Sequence, residues 1–460
     1  MCRDLIRFLL SAAFACVCSM GQVTSLSFRP VGVKYSTTLD RIIFVSASPN
    51  QLHIYNPASP LDQTIALAEV PVSVAVSPDG THAAVGFADA VAYVDLQAGS
   101  IVQMFSGLPI AGDQVIFGNG YIYAFPQPVV GNVGTGNIVS VNLSNGTVKS
   151  DGLNQASGGV FDSLTNAVYS AEDGIGPSLL YRYDASSGVI KLLPADSSFT
   201  GISYVCSPLQ DGSVIYTGCG TVFHASPDSS KDMSYAGTIS GLVSQNGWAT
   251  IAPMSVSNSL QQLAAIPQPP LNTVTGVGSQ PLADTFVELF NTTSLNLAGQ
   301  FATTPFSAGG ANYPAHGRWV FYNSASSAIY LITQADSAAN LAHDFALETI
   351  DLTKSNSCGA TFAASSETAT APGGYLTAQI SASEHCVFTV VSNAPWIVLA
   401  SGLRLRQFHT YLSCASQSGL IAALGLHQHW VTDFDRDSIC SDSVVRPKSV
   451  KLQTNRGRLR

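Results

Sequence analysis

VSVAVSPDGTHAAVGFADAVAYVDLQAGSIVQMFS, residues 72–106, is the stretch whose reading decides the fold. Val72–Ser77, His82–Phe87, Ala90–Leu96 and Ile101–Ser106 each alternate apolar with small or polar residues, the two-residue period of a pleated strand. Ser77-Pro78-Asp79-Gly80 places proline and glycine as a tight turn requires, and Gln97-Ala98-Gly99 closes the next strand pair. A four-stranded unit of about forty residues cannot bury both sheet faces alone, so repeats of it stack radially into a β-propeller.

A landmark counts the repeats. At the end of a third strand stands an aromatic or aliphatic residue, then Asn or Asp, then a turn: Tyr55-Asn56-Pro57, Val94-Asp95-Leu96, Val141-Asn142-Leu143, Tyr183-Asp184-Ala185 and Phe290-Asn291-Thr292. Ala225-Ser226-Pro227 fills the gap between Asp184 and Asn291, and Ile332-Thr333-Gln334 completes the set. Seven landmarks predict seven blades, at 31–69, 70–108, 109–154, 155–197, 198–237, 238–306 and 307–353. The Asn or Asp side chain is expected to bond the backbone two residues on and begin the turn, a structural role. Ser25–Arg29 is expected to pair with the last blade and remove its free edge.

Three blades carry extra length in the same place, between the second and third strand: Pro126–Gly136, Ala171–Ser178 and Ile266–Thr285. In a propeller those connections emerge on one face, beside the links between blades. Coincident insertions on one face mark a binding surface. Its candidate residues are Pro126, Asn132, Glu172, Asp173, Pro269, Asn272 and Asp284.

The chain is 46% hydrophobic and only 11% charged, with 39 glycines, which describes a folded, turn-rich all-β protein. Between Gln22 and Thr353 there are only eight basic residues, so the body is acidic and unsuited to nucleic acid. MCRDLIRFLLSAAFACVCSMG, residues 1–21, has the basic start, apolar run and small residues of a secretory signal peptide. No later segment has the roughly twenty apolar residues of a transmembrane helix. Export permits disulfides. Cys206 and Cys219 flank a turn, but simple pairing across it sets Cys206 opposite Thr217, so a bridge and two buried thiols stand as equal readings.

Beyond Thr353 the character changes. Residues 355–402 contain strand-like runs at Tyr375–Ser381, Cys386–Val391 and Trp396–Ala400 and a Pro-Gly-Gly turn at 372–374. Cys358, that turn, Cys386-Val387-Phe388 and Asn393-Ala394-Pro395-Trp396-Ile397 before Ser401-Gly402 resemble the first half of a BACON domain, an immunoglobulin-like β-sandwich of exported bacterial proteins. The resemblance implies glycan or mucin binding. Within that module Cys358 and Cys386 are the candidate disulfide. Trp396 could be a sugar-stacking platform, though a buried core tryptophan is the favoured reading. The likeness stops at Gly402. Residues 403–460 hold nine of the twenty Lys and Arg and lose the alternation, as an unstructured, frame-shifted tail would.

The body, residues 25–353, resembles the YVTN-type seven-bladed propellers, akin to amine-dehydrogenase β-chain and lactonase propellers, through Ser77-Pro78-Asp79-Gly80, Val94-Asp95-Leu96 and their equivalents. That family likeness implies architecture rather than an activity. The eight basic residues look singly scattered, unlike the cluster a phosphosugar lactonase needs. The sequence holds no GxSxG, P-loop, HExxH or EF-hand pattern, so no catalytic residue, cofactor or metal ligand is assigned. His53, His82, His224 and His316 fall at unmatched positions of different blades. The expectation is an all-β, exported binding or scaffold protein whose partner is a glycan or cell-surface polymer. Its rivals are a periplasmic lactonase or hydrolase at the channel mouth and a protein–protein platform.

Overall fold

The computed structural model describes residues 22–353 apart from 109–113, 126–135, 155–157, 172–179, 194–207, 219, 240–250 and 268–282. Beyond Thr353 it describes the strands 361–362, 375–381, 397–404, 407–414, 431–432 and 450–451. Seven four-stranded antiparallel sheets form the body. Six follow the chain, spanning 30–66, 73–106, 114–154, 159–192, 208–238 and 251–302. The seventh takes its first three strands from Ala315–Tyr322, Ala328–Ala335 and Phe345–Asp351 and its fourth from Gln22–Ser25.

The first strands of successive blades touch one another, which puts them nearest the axis. Second and third strands are buried on both faces, as Arg41–Ala47 and Asn50–Asn56 of blade 1 are, by the apolar residues of neighbouring blades. Fourth strands such as Leu61–Ala66 are largely exposed and form the rim. Burial between blades is therefore the main source of stability, about 25 cal/mol for each Å² of apolar surface removed from water.

The opening stretch forms strands at Ser73–Val76, His82–Gly86, Ala90–Asp95 and Ser100–Ser106. Its landmark behaves as expected. Asp95 Oδ1 accepts hydrogen bonds from the Gln97 and Ala98 amides at 2.8 Å each. Asn56, Asn142, Asp184 and Asn291 likewise accept from the amide two residues on.

The blade count stands, but two of its markers move. Thr333 lies inside the second strand of blade 7, and the residue that caps the third strand there is Asp351, bonded to the Thr353 amide at 2.9 Å. In blade 5 the equivalent register position is His224, opposite Val214, rather than Ser226. A ten-residue turn follows it, and Asp232 there receives the Ser226 amide at 2.9 Å. In blade 7 the regular spacing failed because a long link separates the strand ending at Ala302 from the one starting at Ala315.

Ring closure is also shifted. Gln22–Ser25, not Ser25–Arg29, pairs antiparallel with the last blade, Ser25 opposite Ala346 and Gln22 opposite Thr349. Leu26 and Phe28 alternate as a strand would, but their periodicity has another origin. Both side chains are buried in the seam between blades 7 and 1, against Phe44, Tyr330, Phe345 and Leu347.

Beyond the propeller four of the described strands pair in one sheet, in the order 361–362, 375–381, 407–414, 397–404. Ile397–Arg404 and Gln407–Cys414 pair along their full length, so the chain continues as strand across Gly402. The expected strand Cys386–Val391, and Cys206, Cys219, Cys358, Cys386 and Trp396, lie outside the described residues. Among the described residues no helix is long and apolar enough to cross a membrane.

Candidate functional site

On the face where second-to-third-strand links and blade-to-blade links emerge, a polar cavity of about 440 Å³ opens at the junction of blades 6, 7 and 1. Its centre is His316, second residue of the first strand of blade 7 and buried. Two short turns bring carboxylates to either side of it. Asp284 comes from the end of the long blade-6 insertion, on the 3₁₀ turn Ala283–Thr285, and its Oδ1 lies 2.9 Å from His316 Nδ1. Asp336 caps the 3₁₀ turn Ser337–Ala339, accepting from the Ala338 amide at 2.8 Å, and its Oδ2 lies 3.5 Å from His316 Nε2.

Close packing holds the Asp284 turn. Thr303, in the link from blade 6 to blade 7, donates its amide to the Thr285 carbonyl at 2.9 Å and its hydroxyl to the Ala315 carbonyl at 2.6 Å. A Cβ built on Gly317 would stand 3.0 Å from two carbons of Ile266 and 3.4 Å from the Asp284 carbonyl. The blade-7 strand can approach this turn so closely because Gly317 has no side chain.

The second half of the cavity is a hydrogen-bonded chain. Arg318 Nε donates to Gln334 Oε1 at 3.0 Å, Gln334 Nε2 donates to Asp344 Oδ2 at 2.9 Å, and Arg29 Nη2 donates to the same oxygen at 2.5 Å. The Arg29 guanidinium lies over the Phe345 ring, 5.8 Å from its centre, in cation–π geometry. Asn340 closes the Asp336 turn with φ 46°, a left-handed conformation that asparagine tolerates.

These contacts set the charges. The hydrogen bond to Asp284 raises the His316 pKa, burial opposes it, the Asp284 charge and Asp336 add to the rise, and the Arg318 charge works against it. Burial alone would raise Asp344, but the hydrogen bonds from Arg29 and Gln334 prevail and hold it below the ordinary carboxylate value. The Ala338 amide keeps Asp336 low as well. A histidine raised in the folded state stabilises below its unfolded pKa, and that stabilisation is lost as pH rises through the folded value. His316→Gln is therefore expected to cost about 1–2 kcal/mol at pH 6 and clearly less at pH 9, read by denaturant titration. An equal loss at both values would remove the imidazolium from this description.

Of the residues the sequence singled out, Asp284 is in the cavity. Pro126, Asn132, Glu172, Asp173, Pro269 and Asn272 lie outside the described residues. The other cavity residues come from positions 29 and 316–344, far apart in sequence and joined only by ring closure. The basic residues are not all scattered, because Arg29 and Arg318 line one cavity.

The remaining histidines stay in their own blades. His82 stacks on Tyr93 and bonds Thr81. His53 bonds Ser46 through Nε2 at 3.0 Å and Asp62 through Nδ1 at 2.8 Å, a serine–histidine–aspartate order. It is not a nucleophilic centre: Ser46 is fully buried, leaving no room for a substrate, and its hydroxyl lies 2.6 Å from the Pro49 carbonyl. Phe28 stacks on the His53 ring at 3.7 Å, so the group anchors the seam.

No protein-family model matches the chain, and no curated protein matches it by sequence. Solved structures match it in fold. The β-propeller domain of Cps50 (Swd1) from Myceliophteria thermophila superposes with a TM-score of 0.51 at 9% identity, covering 72% of this chain and 100% of that one. A chain of the mitotic checkpoint complex gives 0.48 at 13% identity, covering 76% and 99%. Hydrazine synthase of Kuenenia stuttgartiensis gives 0.48 at 11%, covering 71% and 97%. At such identities the first likeness establishes the propeller and nothing finer.

Proposed function

We propose that this chain is an exported bacterial binding or scaffold protein that takes a glycan or cell-surface polymer in the cavity at the junction of blades 6, 7 and 1. A propeller fold fits a binding or scaffold role. The carrying observation is the cavity's lining: Asp336, Asp344, Gln334, Asn340 and Arg318 offer planar carboxylate, amide and guanidinium groups. Such groups form paired hydrogen bonds with neighbouring sugar hydroxyls. Export rests on the signal-like residues 1–21, and a surface location on the BACON-like features of 355–402. The YVTN-type likeness belongs to the same proposal.

The test is a glycan array probed with the full chain and with Asp344→Ala. Binding of the parent to a subset of glycans, weakened by about tenfold or more in the variant, is the expected result. If neither bound any glycan, the protein-platform reading would take its place.

A hydrolase is the second reading, favoured by His316 standing between two carboxylates with Ser337 in the lining. Release of new reducing ends from a bound oligosaccharide, or opening of a lactone, would establish it.

A further inference from the structure

Of the charged groups in the cavity, one has no partner of opposite charge in direct contact among the described residues, and it indicates which kind of sugar the cavity takes. Asp344 is neutralised by Arg29 and held by Gln334. Asp284 and Asp336 flank the His316 ring on its two nitrogens. Arg318 differs. Its Nε is engaged by the neutral Gln334 amide, and among the described residues no carboxylate or carbonyl accepts from its two terminal nitrogens. A guanidinium's fork matches the two oxygens of a carboxylate.

The Gln334 bond makes that fork a fixed one. Arg318 lies on the first strand of blade 7 and Gln334 on the second, where His316 pairs with Gln334 in register, so the guanidinium is tethered between two rigid strands. Little side-chain freedom is left to lose on binding, which favours a directional contact. The distribution of charge agrees. A body with only eight basic residues from Gln22 to Thr353 places two of them, Arg29 and Arg318, in one cavity.

We infer that the cavity recognises a uronic-acid residue, its carboxylate on the terminal nitrogens of Arg318 and its ring hydroxyls on the Asp336 and Asn340 side. This rests on the glycan reading above and narrows it to acidic polysaccharides. Size agrees: about 440 Å³ holds one or two sugar rings.

Oligogalacturonate and its full methyl ester share every hydroxyl and differ only in the carboxylate charge. Calorimetric titration of the full chain with both, repeated with Arg318→Gln and Arg318→Lys, tests the inference. The free acid is expected to bind about 10- to 100-fold more tightly than the ester. Arg318→Gln should abolish that preference, and Arg318→Lys should restore only part of it because an ammonium lacks the fork. Arg318 is partly exposed, and an unchanged thermal midpoint confirms that each variant folds. Equal binding of acid and ester, or an acid preference that survives Arg318→Gln, overturns the inference while leaving a glycan site in place. Binding of an acidic peptide with no binding of either saccharide overturns both.

Discussion

Asp232→Ala is expected to destabilise the propeller by about 3–5 kcal/mol, the largest single-site loss the fold predicts. Asp232 lies in the turn between the third and fourth strands of blade 5 and is buried. Its Oδ1 accepts from the Tyr169 hydroxyl at 2.7 Å and the Ser226 amide at 2.9 Å. Its Oδ2 stands 3.0 Å from Arg182 Nε, close enough for an ion pair although the two atoms are not aligned as a hydrogen bond. Tyr169 and Arg182 belong to blade 4, so one carboxylate fastens two blades. Alanine would deprive the Tyr169 hydroxyl and the Ser226 amide of this acceptor and the Arg182 guanidinium of its counter-charge at once. Replacing both ends, with Asp232→Leu and Arg182→Met together, is expected to recover much of the loss because no lone charge is then buried. Urea denaturation of the single and double variants measures this. A loss under about 1 kcal/mol in Asp232→Ala would show that the blades are held by apolar packing alone.

The second large effect has the opposite sign. Glu288, on the third strand of blade 6, is buried, and desolvation pushes its carboxyl up to about 7. It occupies the register position that Glu348 holds in blade 7, three residues before the strand-ending Asn291 or Asp351. There Glu348 accepts from the Thr304 amide at 3.0 Å and its hydroxyl at 2.6 Å, seating the link from the preceding blade. In blade 1 the same position is His53, against which Phe28 of the incoming link stacks. Third-strand side chains at this point thus hold the arriving chain. Glu288 is the one held up by burial alone.

A carboxyl whose folded pKa exceeds its unfolded value binds its proton more tightly when folded. Stability then falls as pH rises from about 4.5 to 7 and stays low above that range. Glu288→Gln removes the ionisation and should stabilise the protein at pH 8 by about 3 kcal/mol, taking about 1.4 kcal/mol for each tenfold change in proton affinity. At pH 4 the two proteins should unfold alike. Thermal midpoints across that range decide the matter, and a variant less stable than the parent at pH 8 would show that Glu288 is held ionised.

Much of the fold was legible because the propeller's local rules are written in neighbouring residues. The Asp95 turn and the alternation of Val91 and Tyr93 with small residues are visible without knowing what packs against them. Ring closure was harder. Leu26 and Phe28 carry the alternation of a strand because a seam between two blades buries every second residue just as a sheet does. The strand itself, Gln22–Ser25, is mostly exposed and has little apolar signal.

One residue of the cavity was legible in the sequence. Asp284 was found because it ends an insertion that lengthens its blade. His316, Asp336 and Asp344 sit in a blade of ordinary appearance, and Arg29 lies far from them in sequence, 315 residues before Asp344. Only the closure of the ring brings position 29 beside position 344. The rarity of cations in the body was the one available signal, and it acquires meaning only when two of them line the same cavity.

If the cavity at the junction of blades 6, 7 and 1 receives the ligand, a bound saccharide must protect the backbone that lines it. Hydrogen–deuterium exchange of the full chain, with and without saturating oligogalacturonate, measures this most directly. Exchange is expected to slow in 335–344, in 315–318 and around Arg29, with the turns on the opposite face, such as 96–99 and 143–146, unchanged. Slowing confined to those opposite turns, or its absence from 335–344 at saturation, would contradict binding in this cavity.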